Sequence, residues 1–413
     1  MFAGLLSLLQ PLPAAAGYYQ WDAVTLPLAS GAACGNGTPY TFFVNRAWRA
    51  KDTVVVFEGG GACWDQASCE GQGLLSASNP EGVGRDYMRS STNAGYGLVT
   101  PFISRLSVLE RVRTQGWNMV YLPYCTGDVH VGSQQRTYAD RDPLAPRIQH
   151  HHGLANVRAA SSWVRDSFRT RHLMVTGFSA GAVGATATWP VLRGTLAPTG
   201  HATLLADSGP LFPAPTGADP AVYPSTPLHT RIREAWGLDT PQGIVPTVLA
   251  ALPGFDVQDL GTVGAALALR YPQDRFGYLA FQADAVFSAF SYAGFDPALA
   301  SAPDEAARRA LLQTSWERDL AQWKQALAPY SNVSWHLPFY RDFAGSHCLT
   351  LVDFTGTGIE EVDLGDIKPF INNTLDRGAP MRNTETDRLS DLTRPLGDGL
   401  RRLLDLLKLF GIG

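Results

Sequence analysis

A basic excess is what this sequence most plainly lacks. Its 33 Lys and Arg stand against 37 Asp and Glu, a formal net charge of −4. No surplus of cations is available to neutralise phosphates, so nucleic acid is excluded as the main partner. Long apolar runs are missing too: mean hydropathy is −0.06, and no mature stretch has the length and apolarity of a bilayer span. The 41 Gly and 28 Pro are scattered without a collagen-like or low-complexity period. Only five Cys occur, and their spacings match no paired C-x-x-C zinc pattern. A Walker loop is absent. Gly59-Gly60-Gly61-Ala62-Cys63 runs into Trp64 and misses the G-x-G-x-x-G spacing of dinucleotide sites. No cofactor or metal is expected. What remains is a loop-rich globular chain of 413 residues, long enough for a full core.

Residues 1–16 carry an apolar run that ends in Ala14-Ala15-Ala16 before Gly17. The pattern is the back half of a secretory signal with an A-x-A cleavage site, lacking its positive n-region. It predicts a secreted or periplasmic protein, with residues 17–413 as one domain. Cys63 and Cys69, six apart in a Gly-rich loop, suit a local disulfide. A pairing of Cys34 with Cys125 across a longer loop is then open, and two bridges with one leftover thiol suit an exported protein. Five reduced cysteines is the other reading.

Short β-branched runs end repeatedly in polar or glycine-rich loops. Thr53–Phe57 leads into Glu58-Gly59-Gly60-Gly61, Asn118–Pro123 into Tyr124-Cys125-Thr126-Gly127-Asp128, Leu173–Gly177 into Phe178-Ser179, and Ala202–Ala206 into Asp207-Ser208-Gly209. These read as buried strands. Tyr278–Phe281 and Val333–Leu337 read as two more. Leu154, Val157, Ala160, Ser161, Val164 and Phe168 trace one helical face. Ala182–Leu192 is expected as a helix closed near Pro190, and Ala306–Ala328 as another. Alternation of strands and helices predicts an α/β fold with a mostly parallel sheet, whose ligands bind beyond the carboxyl ends of the strands. The Pro- and Gly-rich stretch 210–275 reads as an inserted lid. An amphipathic helix, about 396–409 with Leu396, Leu400, Leu403, Leu404 and Leu407, reads as packed on the body, without stable membrane insertion.

Gly177-Phe178-Ser179-Ala180-Gly181 is G-x-S-x-G between a strand and a helix, the context of a nucleophile elbow. A serine hydroxyl needs a base, and the order Ser, acid, His directs the search downstream. His347, in a loop after the last strong strand, is the expected base. Asp284, at a strand's carboxyl end, is the expected acid, with Asp207 as its rival and Asp274 and Asp342 behind them. Gly59-Gly60-Gly61 offers unobstructed amides, so Gly60, Gly61 and Ala180 N–H are the expected oxyanion donors. Adjacent histidines at a helix start diverge, which argues against a metal at His150-His151-His152. Asp128 and His130 shape the pocket or fold the loop around Cys125.

Several blocks together resemble the pectin acetylesterase family. They are Phe57-Glu58-Gly59-Gly60-Gly61-Ala62-Cys63-Trp64, Tyr124-Cys125 with Asp128, Gly177-Phe178-Ser179-Ala180-Gly181, Ala206-Asp207-Ser208-Gly209 and His347-Cys348. The resemblance implies an α/β-hydrolase fold, a Ser179-Asp284-His347 triad, an oxyanion hole from the glycine loop and Ala180, and disulfides Cys34–Cys125 and Cys63–Cys69. Family members remove small acyl esters. Gly61 stands where relatives commonly carry a bulky aromatic, and the segment around Asp284 matches only loosely. The expectation is a secreted serine carboxylesterase acting on small acyl esters, acetyl first among them, of a small-molecule or polysaccharide substrate. A lipid or protein deacylase, a polyester hydrolase, and a non-catalytic binding protein on the same scaffold are the alternatives. Oligomeric state is not legible.

Overall fold

The computed structural model describes residues 18–73, 75–89, 100–105, 110–341 and 345–386. The segment 1–16 and the helix expected at 396–409 lie outside the described residues. A nine-stranded sheet runs in the order β1-β2-β4-β3-β7-β8-β9-β10-β11. The strands are β1 (Trp21–Thr25), β2 (Thr41–Asn45), β3 (Thr53–Phe57), β4 (Asn118–Leu122), β7 (Leu173–Phe178), β8 (Ala202–Asp207), β9 (Arg275–Leu279), β10 (Val333–Leu337) and β11 (Arg382–Thr384). From β4 to β11 every pairing is parallel. β1 and β2 add an antiparallel edge. Every residue of β3, β4, β7, β8 and β10 is buried. Side chains alternate across a strand, so both faces of the sheet are covered, as parallel sheets require. The expected α/β fold is the one observed.

The helices that cover it include α1 (Gly153–Ser167), α2 (Ala180–Ala187), α3 (Trp189–Leu196), α4 (Thr226–Trp236), α5 (Ile244–Ala251), α6 (Val263–Arg270), α7 (Ala285–Tyr292), α8 (Glu305–Leu327) and α9 (Lys368–Leu375). α1 buries Leu154, Val157, Ala160, Ser161 and Val164, the face its spacing predicts. The single helix expected over Ala182–Leu192 is two. Pro190 does not close the first; it sits in the first turn of α3, where its missing N–H costs nothing. The strand read at Tyr278–Phe281 is shifted and ends at Leu279. The histidine run is divided: His150 and His151 belong to β6 (Arg147–His151), which pairs with β5 (Gln134–Tyr138), and His152 sits just before α1 without a side-chain cap.

The 210–275 stretch carries three helices, α4, α5 and α6, joined by longer irregular segments. Their apolar faces, with Ile232, Val245, Val248 and Val263, close over Val129 and Val183 beside the elbow helix α2. One contiguous hydrophobic cluster runs through sheet and helices. Two disulfides, Cys34–Cys125 and Cys63–Cys69, are formed, and Cys348 is free and buried. Among the described residues no helix is long and apolar enough to cross a membrane.

Candidate active site

β7 ends at Phe178, and α2 begins at Ala180. One residue must reverse the chain between them. Ser179 does so at φ 55°, ψ −126°, a region that costs an L-residue free energy and persists only where the surroundings enforce it. Ser179 N–H donates to Asp207 O at 2.8 Å, fixing the turn from β8. The crossing is tight: a Cβ on Gly181 would lie 2.3 Å from Phe57 O. Sheet and helix therefore touch through bare backbone, and the serine stands above the strand ends.

The glycine loop leaves β3 and folds beside the elbow. Gly60 and Gly61 have φ 140° and 60°. A Cβ on Gly60 would meet Ser78 Oγ at 2.1 Å, and one on Gly61 would meet Ser76 O at 2.2 Å. Only glycine fits both positions. Among the described residues, the N–H groups of Gly60, Gly61 and Ala180 donate to no protein acceptor, and all three residues line one cavity with Ser179.

His347 lines the same cavity. Its Nδ1 donates to Asp284 Oδ2 at 2.8 Å, which leaves Nε2 as the acceptor nitrogen of the neutral ring. Nε2 is buried and has no hydrogen-bond partner among the described residues, so it is not bonded to Ser179 Oγ in this structure. Asp284 caps α7, its Oδ1 accepting from Val286 N at 3.0 Å and Phe287 N at 2.8 Å. Burial disfavours the charged imidazole, yet the Asp284 carboxylate outweighs it and holds His347 well above the usual 6.5. The neighbouring Cys348 thiol is pushed up to about 11 by burial. It is neutral at ordinary pH, so the carboxylate is the charge that counts.

The rival acids go elsewhere. Asp207 is fully buried, and its carboxylate makes no hydrogen bond to His347 among the described residues. Its Oδ1 accepts from Leu349 N at 2.9 Å and its Oδ2 from Thr350 N at 2.7 Å and Thr350 Oγ1 at 2.6 Å, while Ser208 Oγ accepts from Cys348 N at 3.0 Å. It anchors the loop that carries His347, a role sequence reasoning missed. Asp274 pairs with Arg193 at 2.9 Å. Asp342 lies outside the described residues. Asp128 folds its own loop, its Oδ1 accepting from Thr126 Oγ1 and His130 N and its Oδ2 from Gly153 N.

Among the described residues, one group has metal-ligand spacing: Cys63, Cys69 and His151. The two sulfurs are bonded to each other. His151 donates from Nδ1 to Thr126 O at 3.2 Å and accepts at Nε2 from Tyr138 OH at 3.0 Å. The group is committed to structure. His336 likewise donates to Thr357 O at 2.7 Å inside β10.

The cavity has a volume of about 320 Å³. The polar edge described above faces an apolar wall of Leu75, Val286, Phe287, Phe290 and Leu351. A nucleophile, a carboxylate-oriented imidazole and free amides around one space are the parts that acyl transfer needs. The family profile described as Pectinacetylesterase matches residues 14–221, about half the chain. The chain is also similar to two proteins of Danio rerio. One is described as an inactive palmitoleoyl-protein carboxylesterase, notum1b, 26% identical over 113 residues that make up 26% of this chain and 71% of that protein. The other is the palmitoleoyl-protein carboxylesterase notum1a, 24% identical over 193 residues, 43% of this chain and 33% of that protein.

Proposed function

This chain belongs to the pectinacetylesterase family of carboxylic ester hydrolases, and from that premise we propose that it is an exported serine esterase of small acyl esters working through Ser179, His347 and Asp284. His347 Nε2 takes the Ser179 proton as Oγ attacks the ester carbonyl. Asp284 holds the ring so that Nε2 faces the serine. Gly60, Gly61 and Ala180 N–H receive the oxyanion. As the tetrahedral intermediate collapses, His347 gives its proton to the departing alcohol oxygen and the acyl-enzyme is left. His347 then takes a proton from a water that attacks the acyl carbonyl and returns it to Ser179 Oγ as the acid leaves. The observation that carries the reading is His347: one nitrogen is fixed on a carboxylate, and the other is buried and unpaired, in a residue that lines the same cavity as Ser179. Because one relative is described as inactive, kinship alone does not make the chemistry; the support comes from Ser179, His347 and the amides of Gly60, Gly61 and Ala180 lining one cavity. The two disulfides support an oxidising, extracytoplasmic location.

Hydrolysis of p-nitrophenyl acetate, with covalent labelling of Ser179 by a fluorophosphonate, tests the proposal. Ser179→Ala is expected to lose both. An unlabelled but folded wild-type protein would point instead to a binding role. The cavity's volume and apolar wall favour a second reading of the substrate, an acyl group longer than acetyl. A p-nitrophenyl ester series from acetate to decanoate separates the two: a monotonic fall from acetate supports acetyl, and a maximum at longer chains supports the other.

A further inference from the structure

A closed ring of hydrogen bonds lies behind the glycine loop. It starts at Glu58, the residue between β3 and Gly59, which is 2% exposed. Tyr87 OH donates to Glu58 Oε1 at 2.6 Å, and Tyr124 N donates to Glu58 Oε2 at 2.8 Å. Asn79 Nδ2 completes the circuit, donating to Tyr87 OH at 3.2 Å and to Tyr124 O at 2.8 Å. The ring holds the loop from two sides. Glu58 O accepts from His130 Nε2 at 2.8 Å just before the glycines begin. Ser78, next to Asn79, donates its N–H to Gly60 O at 3.0 Å.

A carboxylate at this depth is costly. Burial pushes it up to about 7 against the pull of its hydrogen bonds. An apolar side chain would fill the space at less cost, so its placement calls for a use. Three successive glycines form the least restrained backbone a chain can have, while oxyanion donors work only when preorganised. We propose that Glu58 is a positioning residue for ester hydrolysis, fixing the glycine loop through its ring with Tyr87, Asn79 and Tyr124 so that Gly60 and Gly61 N–H face the oxyanion formed at Ser179. The inference rests on the serine-esterase reading and deepens it.

Glu58→Ala and Tyr87→Phe test it, with three readouts: kcat and KM on p-nitrophenyl acetate, and inhibition by a trifluoromethyl ketone, which adds to the serine to give an oxyanion. In Glu58→Ala, kcat falls about 10- to 100-fold, the inhibition constant rises by a matching factor, and KM stays within about twofold. Tyr87→Phe moves the same quantities the same way by about 3- to 10-fold. Where Glu58→Ala does not fold, Tyr87→Phe, which keeps the ring's volume, decides. Folded variants with wild-type kcat and inhibition, or a change confined to KM, overturn the inference. The esterase reading fails separately, when the wild-type protein takes no fluorophosphonate on Ser179.

Discussion

Asp284 divides its carboxylate between two duties, and His347 receives only one of its oxygens. Oδ1 caps α7 through Val286 N and Phe287 N, while Oδ2 sits 2.8 Å from His347 Nδ1. The orientation of the imidazole is thereby tied to the start of a helix, a rigid element. The same split makes the two duties separable by mutation. Asn keeps an oxygen for the cap and can place an N–H toward His347, favouring the wrong tautomer. Asp284→Asn is expected to stay folded and lose kcat by about 10²- to 10⁴-fold. Asp284→Ala loses the cap as well, for a further stability loss of about 1 kcal/mol. Steady-state kinetics beside urea denaturation checks both, and an Asp284→Asn enzyme with wild-type kcat removes Asp284 from the triad.

The pH profile follows from the same pair. A general base acts only when neutral, and His347 is held above its usual 6.5 by the adjacent carboxylate. The acid limb of kcat/KM is therefore expected above pH 6.5, with activity rising into the alkaline range. Asp284→Asn removes the negative charge and shifts that limb down. Stability runs the other way. A group whose folded pKa is raised contributes stability in full below its unfolded value of about 6.5, and the contribution is lost as pH rises through the folded value. Activity on p-nitrophenyl acetate between about pH 5 and about pH 10 gives the limb directly.

How much of this was legible in the sequence depends on the range of the signal. Ser179 is legible because its turn is local: strand, glycines and helix lie in one unbroken stretch from Leu173 to Ala187. β3, β4, β7 and β8 are legible because burial on both faces makes them near-continuous apolar runs, whereas β10 shows only the alternating Val333, Trp335 and Leu337. β1, β5 and β6 are not, since their residues are largely half-exposed or polar, and β11 has only three residues. Asp207 and Asp284 follow neighbouring strands, and nothing local separates a carboxylate that holds the histidine from one that holds the histidine's loop. Glu58 stands in the block that carries the family resemblance, yet nothing in the sequence around it shows what it holds. Its partners come from 29 and 66 positions away, and only the folded chain assembles them.

Asp207 yields a prediction that contrasts with Asp284. Its carboxylate takes four hydrogen bonds, from Ser208 Oγ, Leu349 N, Thr350 N and Thr350 Oγ1. Asp207→Ala strands those donors in a buried site and loses about 3 kcal/mol or more. Activity falls with it, because the loop bearing His347 loosens. Lowered temperature or a stabilising osmolyte restores part of that activity, whereas Asp284→Ala gains nothing from either. Equal denaturation midpoints for wild type and Asp207→Ala would refute the anchoring role.

The disulfides should contribute unequally. Cys34–Cys125 closes a separation of 91 residues, and Cys63–Cys69 one of 6. On the chain-entropy account the first restricts the unfolded chain by about 4–5 kcal/mol and the second by about 2 kcal/mol. Cys34→Ala with Cys125→Ala is expected to lower the urea midpoint by roughly twice the shift seen for Cys63→Ala with Cys69→Ala. The shorter bridge lies beside the glycine loop, and Trp236 Nε1 donates to Cys63 O at 2.7 Å. Its removal is therefore expected to cost more activity than stability, and kinetics at a temperature well below both midpoints isolates that effect.

Gly61 gives the sharpest test of the oxyanion assignment. Its φ of 60° already strains any residue with a side chain. Space adds to the obstacle: a Cβ would stand 2.2 Å from Ser76 O and 2.4 Å from Leu75 O, both backbone atoms with no side-chain freedom to yield. The loop must shift by most of an ångström, and it carries Gly60 N–H with it. Hydrogen bonds to a developing oxyanion fall off steeply over such a distance. Gly61→Ala is expected to lose kcat by about 10²-fold with KM little changed. Fluorophosphonate labelling of Ser179 slows in parallel, because its pentacoordinate transition state uses the same donors. Retention of wild-type kcat by Gly61→Ala would move the oxyanion site away from the glycine loop, leaving Ala180 N–H to be paired with some other donor.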